Sequence, residues 1–207
     1  MLREPVTSVV DATSGALSGN TGRYEKRLSD LEGLYENAAA HADLTRQLGN
    51  PVVYAVEDFR PGDHAGDLIY GVTRMSPGRI GREFFLTRGH IHAKADRPEI
   101  YFGQKGQGLM QLESPAGETR IVEIGPQTIC YVPPYWIHRS INVGDDDLVM
   151  VFAYPSDSGQ DYGIIEASGG MRHRIVSDEK GSWQLVENSE YRARGGDAVA
   201  SLMKRYV

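Results

Sequence analysis

Cysteine is almost missing from this chain: Cys130 is the only one in 207 residues. A lone thiol closes no internal disulfide, so a reducing compartment is permitted and the fold must rest on its core. Its setting in the apolar run 128–132 marks it as a small buried hydrophobe. Long apolar stretches are missing as well. Nowhere do 18 apolar residues follow one another, and none follows basic residues near the start, so neither a membrane span nor a signal peptide is expected. Basic charge is in deficit, with 22 Lys and Arg against 28 Asp and Glu and a formal net charge of −6. That balance argues against a nucleic-acid partner, and no basic cluster offsets it. The expectation is a cytoplasmic protein that meets neither membrane nor nucleic acid.

What the chain does have is a rhythm of short strands. Glycine is frequent (24 residues), and from Pro51 onward apolar runs alternate with turn residues at 52–57, 68–74, 83–87, 99–102, 108–113, 119–124, 128–132, 139–143 and 148–154. Residues 114–117 (Ser-Pro-Ala-Gly) and 144–147 (Gly-Asp-Asp-Asp) have the chemistry of hairpin turns. A last hairpin is expected from 172–177 and 182–187 around 178–181. Eight or nine strands at this spacing predict an all-β closed antiparallel barrel or jelly roll, the class that includes the cupins.

One domain is expected over 1–207, with a barrel core at about 50–165, an N-terminal arm over 1–49, and a C-terminal hairpin and tail over 166–207. From Ala198 the tail could form a short helix. Within the arm the first 23 residues show no period. Ser29-Asp30-Leu31-Glu32 has a capping-box pattern, with Ser29 at the N-cap and Glu32 at N3, and predicts a short helix through Leu34, Tyr35 and the alanine-rich stretch.

Chemistry concentrates in four residues: His90, His92, Glu99 and His138. On a strand, positions i and i+2 share a face, so His90 and His92 can offer two imidazole nitrogens to one point. Glu99 begins one strand and His138 stands at the head of another after Pro133-Pro134. Inward positions of a small barrel converge readily. Three neutral imidazoles and a carboxylate suit a divalent transition metal and leave coordination positions open. The other histidines, His41, His64 and His173, read as structural.

The quartet and its neighbours resemble the two cupin motifs. The first is matched at His90, His92, Glu99 and Gly106, with Phe84 in place of a leading glycine and six residues between His92 and Glu99. The second is matched at Pro133, His138 and Asn142, with Tyr135 in place of its glycine. Thr87-Arg88-Gly89-His90-Ile91-His92, Glu99-Ile100-Tyr101 and Tyr131-Val132-Pro133-Pro134-Tyr135-Trp136-Ile137-His138-Arg139 are more specifically similar to signatures of the cupin-type, or archaeal-type, phosphoglucose isomerases. Residues 103–108, Tyr154-Pro155 and Asp161-Tyr162-Gly163 continue the similarity.

That resemblance implies a jelly-roll enzyme interconverting glucose 6-phosphate and fructose 6-phosphate in glycolysis or gluconeogenesis, and acting as a homodimer. It implies one divalent metal per chain, Fe2+ first, with Mn2+, Ni2+, Zn2+ or Co2+ as alternatives. His90, His92, Glu99 and His138 would be the ligands and Glu99 the catalytic residue. Tyr54, Thr73, Thr87, Gly89, Tyr101, Tyr154 and Tyr162 would contact substrate. Gln160 departs from the family, which commonly has histidine there; an amide is neither acid nor base near neutral pH.

Aldose–ketose isomerisation moves one hydrogen between C1 and C2 and needs a base, a proton route between O1 and O2, and stabilisation of charge on those oxygens. Glu99 is the quartet's carboxylate, but ligation lowers its basicity. Proton abstraction through an enediol and a metal-assisted hydride shift both stay open. Residues 72–105 also hold seven Lys and Arg (Arg74, Arg79, Arg82, Arg88, Lys94, Arg97, Lys105) against three acids, a local excess that could meet a phosphate or merely coat a solvated surface. The competing functional readings are a metal-dependent cupin dioxygenase and a non-catalytic sugar-phosphate sensor.

Overall fold

The computed structural model describes residues 3–62 and 64–204. Thirteen strands run β1 (Gly22–Arg27), β2 (Val52–Phe59), β3 (Leu68–Met75), β4 (Arg79–Ile80), β5 (Glu83–Phe84), β6 (Glu99–Lys105), β7 (Gly108–Glu113), β8 (Thr119–Ile124), β9 (Ile129–Val132), β10 (Ile137–Asn142), β11 (Leu148–Pro155), β12 (His173–Ser177) and β13 (Trp183–Glu187). Helices are few and short: α1 (Ala38–Gln47), α2 (Gly163–Ala167) and α3 (Gly196–Lys204).

Six strands form one sheet in the order β1-β2-β3-β11-β6-β9, and β10-β7-β8 form the opposing sheet. A smaller sheet, β13-β12-β5-β4, closes one flank. Every paired strand is antiparallel. Residues from both main sheets, among them Val53, Leu109, Met110, Ile124, Leu148 and Met150, fill the space between them. The result is an all-β jelly-roll barrel whose interior is a packed core at one end and a polar cavity at the other.

Period-two alternation does the positioning. Along β6, Glu99, Tyr101 and Gly103 turn inward while Ile100 and Phe102 face out. The chain then crosses from one sheet to the other at Gly106, whose φ of 80° is left-handed and where a Cβ would lie 2.5 Å from the Asp147 carbonyl oxygen. Asn142 fastens the neighbouring corner: its Nδ2 donates to the Met75 and Asp146 carbonyls at 3.0 and 2.9 Å, and its Oδ1 accepts from Gly144 N at 3.0 Å.

Several sequence expectations need correction. The arm contributes β1, which pairs with β2 from Gly22↔Asp58 onward and extends the main sheet. Ser29 caps no α-helix: residues 28–31 are a single 3-10 turn, in which Ser29 N donates to Asn50 Oδ1 at 2.9 Å. Gly33, at φ 79°, breaks the chain there, and α1 starts later, with Asn37 Oδ1 accepting from Ala40 N at 2.8 Å. The 144–147 turn joins β10 to β11, which lie in different sheets, so it is a crossover and not a hairpin. The 83–87 run splits into β5 and an isolated Leu86↔Ile141 bridge. The 114–117 hairpin, the β12–β13 hairpin and the terminal helix form as expected, and Cys130 is buried, with burial holding its thiol up at about 11.

Candidate metal centre

His90 and His92 do not sit on a continuous strand. Their segment is extended and held by isolated bridges, His90↔His138 on one side and Ile91↔Asp161 on the other. Alternation nevertheless survives: Ile91 enters an apolar cluster with Ala95, Ile137, Ile165 and Met171, which leaves the histidines on the opposite face. The bridge to β10 is reciprocal, His90 N to His138 O at 3.0 Å and His138 N to His90 O at 2.9 Å. Gly89 makes that approach possible. Its φ is 76°, and a Cβ there would meet Arg139 Cβ at 2.9 Å and the His138 carbonyl at 3.1 Å.

The four expected ligands come together at the inner end of β6 and β10. One donor atom from each of His90, His92, Glu99 and His138 falls within 4.8 Å of the others. In all three imidazole–carboxylate pairs the nearer oxygen is Glu99 Oε2: 3.0 Å from His138 Nε2, 3.2 Å from His92 Nε2 and 3.9 Å from His90 Nε2. All but His90 are more than nine-tenths buried.

The outer nitrogens show that this cluster fits a cation. His92 Nδ1 lies 2.7 Å from the Arg97 carbonyl and His138 Nδ1 lies 3.1 Å from the Trp136 carbonyl. A carbonyl only accepts, so each Nδ1 carries a proton and each ring turns its Nε2 toward Glu99. Buried Nε2 atoms of His90 and His92 have no hydrogen-bond partner. Three imidazole nitrogens and a carboxylate oxygen therefore converge on one point, a donor set that suits a divalent metal.

Electrostatics agree. Burial, the largest influence on Glu99, pushes its carboxyl up, but the imidazoles of His138 and His92 outweigh it and hold the group well below the usual carboxylate range. Burial, together with the neighbouring His138, drives the His90 imidazole well below its ordinary value, so it stays neutral. Loop 93–98 is pinned from outside: Arg97 Nε and Nη2 and Lys94 Nζ all bond Asp157, and Tyr135 N donates to the Ala95 carbonyl at 2.6 Å. Tyr135 adopts φ 70°, so the backbone keeps a glycine-like conformation although the motif's glycine is replaced.

His90 and Glu99 open into a cavity walled by Tyr54, Thr73, Thr87, Gly89, Tyr101, Tyr154 and Tyr162. Every residue singled out as a sugar contact thus lines one space. Burial lifts the Tyr54 and Tyr154 hydroxyls to about 12 and the Tyr101 hydroxyl well above its ordinary value, so all three remain donors at neutral pH. Thr87 Oγ1 accepts from Ser140 N at 3.0 Å.

The same cavity holds residues that the sequence did not mark, Tyr24 from β1 and Asp58 and Arg60 at the end of β2, together with Arg88 and the departing Gln160. Gln160 Oε1 accepts a hydrogen bond from the Tyr162 hydroxyl, and the Arg88 guanidinium lies 4.9 Å from the centre of the Tyr162 ring. Of the seven basic residues in 72–105, only Arg88 reaches this space; Lys94 and Arg97 are taken by Asp157, and Arg79 by Ser177 and the Phe84 ring. Of the histidines read as structural, His41 Nε2 bonds the Leu28 carbonyl and His173 Nδ1 bonds Thr119, whereas His64 is exposed.

A jelly roll with three histidines and a glutamate turned inward at one end defines a cupin with a metal-type site. Comparison narrows the class. The family model "Glucose-6-phosphate isomerase (GPI)" matches residues 25–193. A glucose-6-phosphate isomerase of Sinorhizobium medicae is 56% identical over 201 residues, covering 97% of this chain and 94% of that one. The enzyme of that name from Thermococcus kodakarensis is 40% identical over 190 residues, covering 92% and 98%. This chain belongs to the glucose-6-phosphate isomerase family, in its cupin form.

Proposed function

We propose that the protein is a metal-dependent glucose-6-phosphate isomerase that interconverts glucose 6-phosphate and fructose 6-phosphate. The observation that carries this reading is the shared cavity: seven hydroxyl or backbone groups suited to a phosphorylated sugar line the same space as His90 and Glu99. His90, His92, His138 and Glu99 Oε2 would hold one divalent ion, iron(II) in the first place, with manganese, nickel, zinc or cobalt able to use the same donors. Such an ion supplies Lewis acidity and orients the two oxygens of the substrate.

The side chains do the rest. Because Oε2 faces all three histidines, Glu99 Oε1 is the oxygen left to move a proton between C1 and C2. The tyrosine hydroxyls, neutral at physiological pH, donate to sugar and phosphoryl oxygens. Arg88 places positive charge at the wall, Arg60 being paired there with Asp58, and remote phosphate binding positions the reacting carbons. Gln160 orients Tyr162 instead of titrating.

Pairing of two chains is supported by an outward apolar face on β6 and β9. Ile100 lies opposite Tyr131 and Phe102 opposite Ile129, all four exposed, and β9 is a free sheet edge. A cytoplasmic role in glycolysis or gluconeogenesis fits this activity; no helix among the described residues is long and apolar enough to cross a membrane.

The test is direct. Purified protein incubated with fructose 6-phosphate should yield glucose 6-phosphate, detected through a coupled dehydrogenase, with loss on chelation and recovery on metal add-back. No turnover with iron, manganese, nickel, cobalt or zinc would sink the proposal. Running the reaction in deuterated water separates the two routes: an enediol through Glu99 exchanges the migrating hydrogen with solvent, whereas a hydride shift retains it.

A further inference from the structure

Beside the metal cavity lies a second one of about 340 Å3, lined in part by Leu34, Arg139, Ile165, Gly169 and Arg174. The two spaces share Arg88 and Tyr162. Two of its lining guanidiniums are more than nine-tenths buried, Arg139 at 5% exposure and Arg174 at 6%. Their circumstances differ. Arg174 is satisfied, with Nη1 on Glu83 Oε1 at 2.8 Å and on the Leu34 carbonyl at 3.1 Å, and Nε on Asn188 Oδ1 at 3.2 Å.

Arg139 has one hydrogen bond, from Nε to the neutral amide oxygen of Gln111 at 2.9 Å. Among the described residues no carboxylate forms an ion pair with it, and neither Nη nitrogen has a hydrogen-bond partner. Neither is sealed from solvent, since both are missing from the buried unpartnered atoms, and the open space beside Arg139 is this cavity. Glu83 and Glu113 act on Arg139 through space, but each is bonded to another guanidinium, Arg174 and Arg194 respectively, and a buried guanidinium with no direct ionic partner is costly. Its planar fork matches the paired oxygens of a carboxylate or phosphoryl group. Four acids, Asp30, Glu32, Glu166 and Glu190, line the same cavity but are exposed, so its deep end is cationic and its rim anionic.

We propose that this cavity is a second ligand site for a small oxyanion that also carries hydroxyl or ammonium groups. Arg139 takes the oxyanion in bidentate fashion, and the acidic rim accepts hydrogen bonds from the other end. Two sources share this chemistry, a small carboxylic acid and a phosphoryl ester. Glycine and phosphoethanolamine represent them as probes, each joining an oxyanion to an ammonium.

The Arg139 Nε–H, held by Gln111, is a local reporter by nuclear magnetic resonance in the metal-loaded full chain. It should shift saturably with at least one probe: glycine alone assigns a carboxylate ligand, phosphoethanolamine alone a phosphoryl ester, and both assign the oxyanion generally. Arg139→Gln should abolish binding at this site. Glu32→Trp, which crowds the rim without touching Arg139 or the metal cavity, should weaken it by about tenfold or more, and carries the test if Arg139→Gln does not fold. The absence of a saturable shift with either probe up to about 10 mM, or an unchanged dissociation constant in Glu32→Trp, would overturn the proposal.

Discussion

His138 Nε2 stands 3.0 Å from Glu99 Oε2 while His138 Nδ1 lies 3.1 Å from the Trp136 carbonyl. One ring nitrogen is held by the main chain and the other faces the carboxylate, the orientation that a metal-binding imidazole takes, and its consequences are measurable.

Removing one party should abolish the site. His138→Ala is expected to weaken metal affinity by at least about 100-fold, more than loss of a supporting hydrogen bond. Metal content by elemental analysis checks this. Chelation of the wild type should lower its melting temperature while leaving that of the His138→Ala protein unchanged, since a ligand stabilises only the state that binds it.

Glu99→Gln keeps a carbonyl oxygen for the ion but removes the base. We expect retained, weakened metal binding together with a fall in kcat of about 10²- to 10⁴-fold. Near-normal turnover at saturating metal would exclude Glu99 as the proton carrier.

Asp157 reaches the candidate metal site through two intermediates: it fixes Arg97 and Lys94, and the Arg97 carbonyl fixes His92. Asp157→Asn should lower metal affinity by about tenfold. It should also change the acid limb of stability. Hydrogen bonds from Arg97 and Lys94 hold this carboxyl well below its ordinary value of 3.8. A depressed folded-state pKa stabilises above the unfolded value and is lost as pH falls. The stability gap between wild type and Asp157→Asn, by urea denaturation, should stay constant from neutral pH to about 4.5 and then shrink on further acidification.

Tyr135 holds φ 70° where glycine would be free of strain. A non-glycine residue in this region costs about 1–3 kcal/mol, against the apolar contact its ring makes with the Ile91–Met171 cluster and the extra freedom glycine gives the unfolded chain. Tyr135→Gly should therefore lie within about 1 kcal/mol of wild type. Tyr135→Val, β-branched and without the ring, should be about 2 kcal/mol worse than Tyr135→Gly by the same measurement.

The convergence of the quartet was legible because its spacing is local chemistry: paired histidines on an extended segment, a carboxylate opening one strand and a histidine near the start of another. β1 was not legible, for its sequence Gly-Arg-Tyr-Glu-Lys-Arg has no apolar alternation, and only pairing with β2 makes it a strand. Tyr24 and Arg60 escaped for the same reason, since they meet the cavity through that pairing. Turn residues announced the bend at 144–147 but could not say that it leads to another sheet. Among seven basic residues, Arg88 was indistinguishable in sequence, because the partners of Arg79, Lys94 and Arg97, Ser177 and Asp157, lie 60 or more positions away.

The reciprocal amide bonds between His90 and His138 set the bite of the chelate in the main chain. Two donors stay at fixed separation whatever side chains occupy those positions, so ligand type and ligand spacing vary independently here. Exchange of an imidazole for a carboxylate or thiolate at either position would retune metal preference without rebuilding the frame, which makes this pair the natural place from which new chemistry on the barrel would start.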